Sequence, residues 1–130
     1  MNVIVDTVIW SEALRRKVPN IELTDSLTEL IQEHRVMLLG PIRQELLSGI
    51  SDIQKFKILR DKLLFFPDKE IITDDYILAA EYSNLCRKKG IQGSHVDFLI
   101  CACSTRLNAS IFTSDKDFVN YQKVIPINLH

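Results

Sequence analysis

The sequence predicts an α/β fold, a three-layer α/β/α arrangement with a short central parallel sheet, in a single domain spanning residues 1–130. Two observations carry this. The apolar runs Asn2–Val5, Val36–Leu39 and Ser110–Thr113 are short and do not alternate with polar residues, as expected of strands buried on both faces. Stretches of helical periodicity separate them, and alternating strand and helix gives a parallel sheet with helices on both sides.

Each element has a local reason. Asn2–Val5 ends at Asp6-Thr7, which suits a strand followed by a helix cap, and a helix from about Val8 to Lys17 stops before Pro19. A second helix begins near Thr24, with Leu23, Leu27, Leu30 and Ile31 sharing a face. Val36–Leu39 is the next strand, closed by Gly40, and Pro41 fits the first turn of a helix ending near Gly49. Ser51 can cap a helix whose Phe56, Leu59 and Leu63 face the core until Pro67 ends it. Thr73 can cap the following helix. Asp74 and Asp75 then lie in its first turn and Arg87-Lys88-Lys89 in its last, as the helix dipole favours, before Gly90. Val96 to Leu107 is apolar nearly all round, the mark of a helix buried on most sides. Ser110–Thr113 reads as a strand, Asp115–Tyr121 as a short helix and Val124–Ile127 as a last strand.

Composition narrows the class. Lys and Arg number 16 against 17 Asp and Glu, a net charge of −1, which excludes nucleic-acid binding by bulk positive charge. Hydrophobic residues at 46% and charged residues at 25% are ordinary globular usage, so disordered and fibrous classes drop out. No apolar run approaches a membrane span, and Asp6 comes too early for a secretory signal. Three cysteines fit a reducing, cytoplasmic setting. Cys101 and Cys103 lie two apart on one helix without a CxxC or neighbouring His, so they read as core, not as a zinc or redox site.

The chemistry lies in the carboxylates. Ligands of open parallel sheets sit outside the carboxyl ends of the strands. Asp6 follows the first strand and Asp115 follows the Ile111 strand. Asp97 opens the apolar helix, Glu45 sits at the margin of an apolar helix face, and Asp117 lies two residues beyond Asp115. Singly, each has a plainer reading: Asp6 and Asp115 as N-caps, Asp97 as a first-turn acid, Glu45 as a solvated margin residue and Asp117 as helix-start chemistry. As a set they imply more. Carboxylates about 5 Å apart repel by about 3 kcal/mol per pair at an effective dielectric near 20. Several such pairs rival the whole stability of a small domain, about 5–15 kcal/mol. A convergent set therefore needs protons or a cation, and all-oxygen ligands select Mg²⁺ or Mn²⁺ over zinc. Such an ion is the setting for phosphodiester cleavage.

Val3-Ile4-Val5-Asp6-Thr7, Arg43-Gln44-Glu45-Leu46-Leu47, His95-Val96-Asp97-Phe98-Leu99-Ile100 and Thr113-Ser114-Asp115-Lys116-Asp117-Phe118 together resemble a PIN domain. Length and motif order are similar to the VapC toxins of bacterial VapBC toxin–antitoxin pairs. The resemblance covers the whole chain, and the ordered set is its specific part. It implies a PIN-like fold, with Asp6, Glu45, Asp97 and Asp115 as metal-binding acids, Asp117 as a supporting acid, and Thr7 and Thr113 as hydroxyls that hold carboxylates or water. It also implies a Mg²⁺- or Mn²⁺-dependent endoribonuclease acting on structured RNA such as tRNA or rRNA. Attack by metal-activated water would leave a 5′-phosphate and a 3′-hydroxyl. The family implies, too, a homodimer and a cognate VapB-type antitoxin whose C-terminal segment occludes the site.

Other residues are weighed beside these. RNA needs a basic rim, and Arg43 and Lys116, nearest in sequence to the proposed ligands, are the preferred phosphate contacts. Trp10 reads as core or interface before a stacking platform. His95 can be a proton carrier, although a bound metal makes one unnecessary. No G-x-S-x-G motif supports a serine hydrolase. The alternatives are a DNA-directed nuclease of similar fold and a non-catalytic RNA- or protein-binding module, against which retention of all four acids counts.

Overall fold

Strands of only two to four residues suffice here because helices cover both faces of the sheet. The computed structural model describes residues 1–130. Its elements are β1 (Val3–Val5), α1 (Thr7–Leu14), α2 (Ile21–Gln32), β2 (Val36–Leu39), α3 (Gly40–Leu47), α4 (Ile53–Leu63), β3 (Asp68–Lys69), α5 (Thr73–Lys88), α6 (His95–Arg106), β4 (Ser110–Phe112) and α7 (Asp117–Gln122). The sheet is parallel, in the order β3-β2-β1-β4. Val3 pairs with Val36 on one side and Ser110 on the other, and Val5 pairs with Phe112.

This order means that the chain moves outward from β1 through β2 to β3, then returns past its start to add β4. Right-handed crossovers then put α1 to α4 on one face and α5 and α6 on the other. The packing agrees: α1 lies against α2 and α3, α3 against α4, α5 against α6, and α6 against β1 and β4. The winding reverses between β1 and β4, and a crevice opens there at the carboxyl ends of the strands.

The core comprises 30 buried hydrophobic residues, including all of β1. In α6 seven consecutive residues, Phe98 to Ser104, are buried, as the all-round apolar pattern predicts. Ser104 satisfies its hydroxyl by donating to the Cys101 carbonyl at 2.8 Å. Trp10 is core: its indole N–H donates to the Val5 carbonyl at 3.1 Å and its ring meets Phe66 edge-on. Cys86, Cys101 and Cys103 are free and buried. Burial pushes the Cys103 thiol up to about 12, so it stays protonated and inert.

Several boundaries differ from the sequence reading. Helix α1 ends at Leu14, and α2 starts at Ile21, because the Asn20 carboxamide accepts from the Leu23 N–H. Gly40 opens α3 instead of closing β2. Asp52 caps α4 in place of Ser51, accepting from the N–H groups of Gln54 and Lys55. At α5 the cap position is Ile72, with Thr73 already helical, and the Asp75 carboxylate accepts from the Ile72 N–H at 3.0 Å. The short α7 begins at Asp117 because Asp115 is occupied in the preceding turn. Strand β3 had no apolar signal, being two exposed residues paired with β2 through the backbone.

The last strand, expected over Val124–Ile127, does not form. Pro126 has no N–H to give, and the Ile127 N–H turns back to the Ile125 carbonyl. Pairing with β4 shifts onward instead, through Ile111 N–H to Asn128 O and His130 N–H to Ile111 O, a single bridge at Leu129. No helix is long and apolar enough to cross a membrane.

Candidate functional site

The carboxyl ends of β1 and β4 deliver the first two acids. The Asp6 N–H continues the sheet by donating to the Phe112 carbonyl at 2.9 Å. Extended backbone at Asp6 then makes it the cap of α1, and one carboxylate oxygen accepts from the Thr7 N–H at 2.8 Å. The other accepts from the Thr113 hydroxyl, also at 2.8 Å. Since that hydroxyl donates to Asp6, its lone pairs are free to accept, and it takes the Asp115 N–H at 3.0 Å. Asp115 in turn accepts from the Asp117 N–H at 2.9 Å, closing a tight turn into α7. One threonine hydroxyl thus ties the two strand ends together.

The third acid comes from the α6 face. Ser94 caps this helix by accepting from the Asp97 N–H at 3.1 Å, which places Asp97 in the first turn. There one of its oxygens lies with an oxygen of Asp115 and one of Asp117, all within 4.8 Å of one another. Tyr121 on α7 donates its hydroxyl to Asp97 at 2.7 Å. Glu45, exposed on α3, joins through the Thr7 hydroxyl, which donates to it at 3.0 Å. The structure therefore brings Asp97, Asp115 and Asp117 together directly, links Asp6 to them through the Thr113 hydroxyl, and carries Glu45 on Thr7.

The electrostatics are those of an uncompensated cluster. Burial is the main cause that pushes the Asp6 carboxyl above its ordinary range; the hydrogen bonds from Thr113 and Thr7 oppose it, and the charges of Asp97 and Asp115 add to it. Burial likewise raises Asp97 against its bonds to Tyr121 and Ser94, with Asp115 and Asp117 adding repulsion. None of the five ion pairs of the molecule involves these acids. A hard divalent cation fits this donor set: the oxygens converge, no His or Cys competes, and excess negative charge needs a counter-ion.

The expected phosphate contacts fare differently. Lys116 is exposed between Asp115 and Asp117, free to meet a phosphate. Arg43 is engaged within the fold instead. Its guanidinium donates to Asp68 at 2.8 Å, to the Leu63 carbonyl at 3.0 Å and to the Phe66 carbonyl, tying α3 to the end of α4 and to β3. His95 lines a groove of about 370 Å³ between α5 and α6 with Tyr76, Asn84 and Leu99. Two participants escaped sequence reading. Ser94 had a signal, a serine three residues before an acid at a helix start. Tyr121 had none, since its spacing from Phe118 reads only as a core face.

A family model described as PIN domain matches residues 3–124. No curated protein matches the chain. Among solved structures, the fold is similar to FitAcB from Neisseria gonorrhoeae, with a TM-score of 0.81 and 20% identity over 98% of this chain and 95% of that one. It is similar to VapBC2 from Rickettsia felis bound to a promoter DNA fragment, at 0.82 and 17% over 100% and 98%. A toxin–antitoxin complex from Klebsiella pneumoniae gives 0.70 and 16% over 98% and 100%.

Proposed function

The chain belongs to the PIN domain family, and from that premise we propose that it is a divalent-metal-dependent endoribonuclease, the toxin of a type II toxin–antitoxin pair. The observation that carries this reading is the meeting of Asp97, Asp115 and Asp117 within 4.8 Å beside a buried Asp6, without a protein cation. A pure binder of phosphates would be hindered by that charge; an ion-dependent hydrolase requires it.

Asp6, Glu45, Asp97 and Asp115 hold Mg²⁺ or Mn²⁺, with Asp117 in support. When bound, such an ion neutralises the carboxylates and activates water for attack on phosphorus, so that cleavage leaves a 5′-phosphate and a 3′-hydroxyl. Thr113 orients Asp6 and fixes the turn carrying Asp115, and Thr7 holds Glu45. Lys116 meets a flanking phosphate. With the four acids set aside, the rest of the chain carries 13 acids against 16 bases, a mildly basic surround for RNA.

A structured RNA such as tRNA or rRNA is the substrate. The working form is a cytoplasmic homodimer, and a cognate VapB-type antitoxin controls it. The shared fold with a toxin–antitoxin complex supports that partner. Purified protein incubated with total RNA and Mg²⁺ is expected to give discrete fragments with 5′-phosphates, abolished by a chelator and by Asp97→Asn. Cleavage that survives chelation overturns the reading, and cleavage of DNA alone makes the protein a DNA-directed nuclease. A small overlapping reading frame upstream, with a DNA-binding N-terminal half, would support the toxin–antitoxin assignment.

A further inference from the structure

Tyr121 is fully buried, its ring set 5.0 Å from Phe98 and 5.2 Å from Phe118. A phenylalanine would fill that space as well. The hydroxyl has one partner, the Asp97 carboxylate at 2.7 Å. Room for it exists only because residue 93 is glycine: a Cβ there would lie 2.3 Å from the Tyr121 oxygen and 2.7 Å from the ring carbon that bears it. The backbone before α6 is thus bare where the hydroxyl passes.

We propose that Tyr121 is a positioning residue for the metal site, its buried hydroxyl fixing the orientation of the Asp97 carboxylate beside Asp115 and Asp117, with Gly93 as the gap that admits it. This rests on the metal-dependent reading above. An aspartate is free to turn about its last torsion, and Asp97, half-buried among like charges, gains by turning away from them. A hydrogen bond from a ring clamped on both sides prevents that rotation before any ion arrives. A hydroxyl donated to a charged acceptor is among the stronger hydrogen bonds. Partners that orient metal ligands in this way are commonly worth about 10–100-fold in metal affinity.

The test is Mn²⁺ titration of the RNA-free protein by calorimetry, for wild type, Tyr121→Phe, Gly93→Ala and Asp97→Asn, beside metal-free melting and near-ultraviolet circular dichroism. Tyr121→Phe is expected to weaken Mn²⁺ binding about tenfold or more, with the metal-free fold kept and cleavage recovered at saturating Mn²⁺. Gly93→Ala should weaken binding in the same direction by displacing the hydroxyl, and it decides the matter if Tyr121→Phe fails to fold. An unchanged Mn²⁺ Kd in Tyr121→Phe, whether or not it melts earlier, overturns the inference. If wild type then binds Mn²⁺ and Asp97→Asn does not, the nuclease reading stands and the positioning role alone falls. If wild type binds no Mn²⁺, both fall.

Discussion

Asp75 and Asp97 occupy the same position on neighbouring helices, three residues after the cap in α5 and in α6, yet their surroundings are opposite. Asp75 is 1% exposed and fully answered: it accepts from the Ile72 N–H at 3.0 Å and from two nitrogens of Arg106 at 2.7 and 2.9 Å. Burial is the largest single influence and would push its carboxyl up, but the hydrogen bonds from Arg106 and the Ile72 N–H, with the Arg106 charge, together hold it below the ordinary range. Asp97 is only half-buried and faces other carboxylates, and its carboxyl is pushed up. The helix dipole treats both alike. What divides them is the counter-charge, supplied from within the chain for one and not for the other. The first is a structural lock and the second belongs to the candidate site.

Substitution should separate the two most sharply. Asp97→Asn is expected to lower cleavage by at least about 100-fold, the upper end of what even an indirect partner of a metal costs. The metal-free protein should remain as stable or become more so. A large fall in its melting temperature would make Asp97 a structural acid like Asp75. Asp75→Asn should do the reverse, costing about 2–3 kcal/mol by leaving Arg106 without its partner, at the low side for a buried pair because Arg106 is partly exposed. The shift of melting temperature on adding Mg²⁺ should survive in Asp75→Asn and vanish in Asp97→Asn.

The two carboxylates should also pull stability in opposite directions with pH. Asp6 and Asp97, raised in the folded state, favour the fold when protonated; that contribution is complete below their ordinary value of 3.8 and is lost as pH rises through their folded values. Asp75, lowered, contributes above 3.8 and loses that contribution as pH falls through its folded value. Metal-free melting should therefore improve from neutral to mildly acid pH before falling in strong acid, and Mg²⁺ should erase the mild-acid gain. A monotonic decline on acidification of the metal-free protein would place Asp97 with Asp75. The smallest effect concerns substrate: Lys116→Ala should weaken RNA binding a few-fold and flatten its log–log salt dependence by about 0.7. An unchanged slope removes Lys116 from the phosphate contacts.

Much of this was legible in the sequence where local chemistry decides the outcome. β2 shows the same limits in both, because four apolar residues between the charged Arg35 and the Gly40-Pro41 break have one way to be buried. The acids at the ends of β1 and β4 follow from strand direction alone. What stayed hidden depends on residues distant in sequence. Asp75 and Asp97 look alike until Arg106 is seen to reach the first. Arg43 looks like a free cation until β3 supplies Asp68, and β3 was itself invisible because its two exposed residues carry no pattern. The C-terminal segment misled because Ile125 and Ile127 bury themselves beside the sheet without joining it.

The hydrogen bond between Thr113 and Asp6 spans 107 positions of the chain. β1, made first, lies inside the sheet, and its neighbour β4 is the last strand to be made. At about 5–20 residues per second of synthesis, the two acids that this bond aligns emerge about 5–20 s apart. A chain stalled anywhere before Ser110 lacks Asp115 and Asp117 altogether and leaves one side of β1 open. Under the proposed function, a ribosome making this protein carries no competent nuclease until Asp115 and Asp117 have been added, a built-in delay before the cell must restrain it.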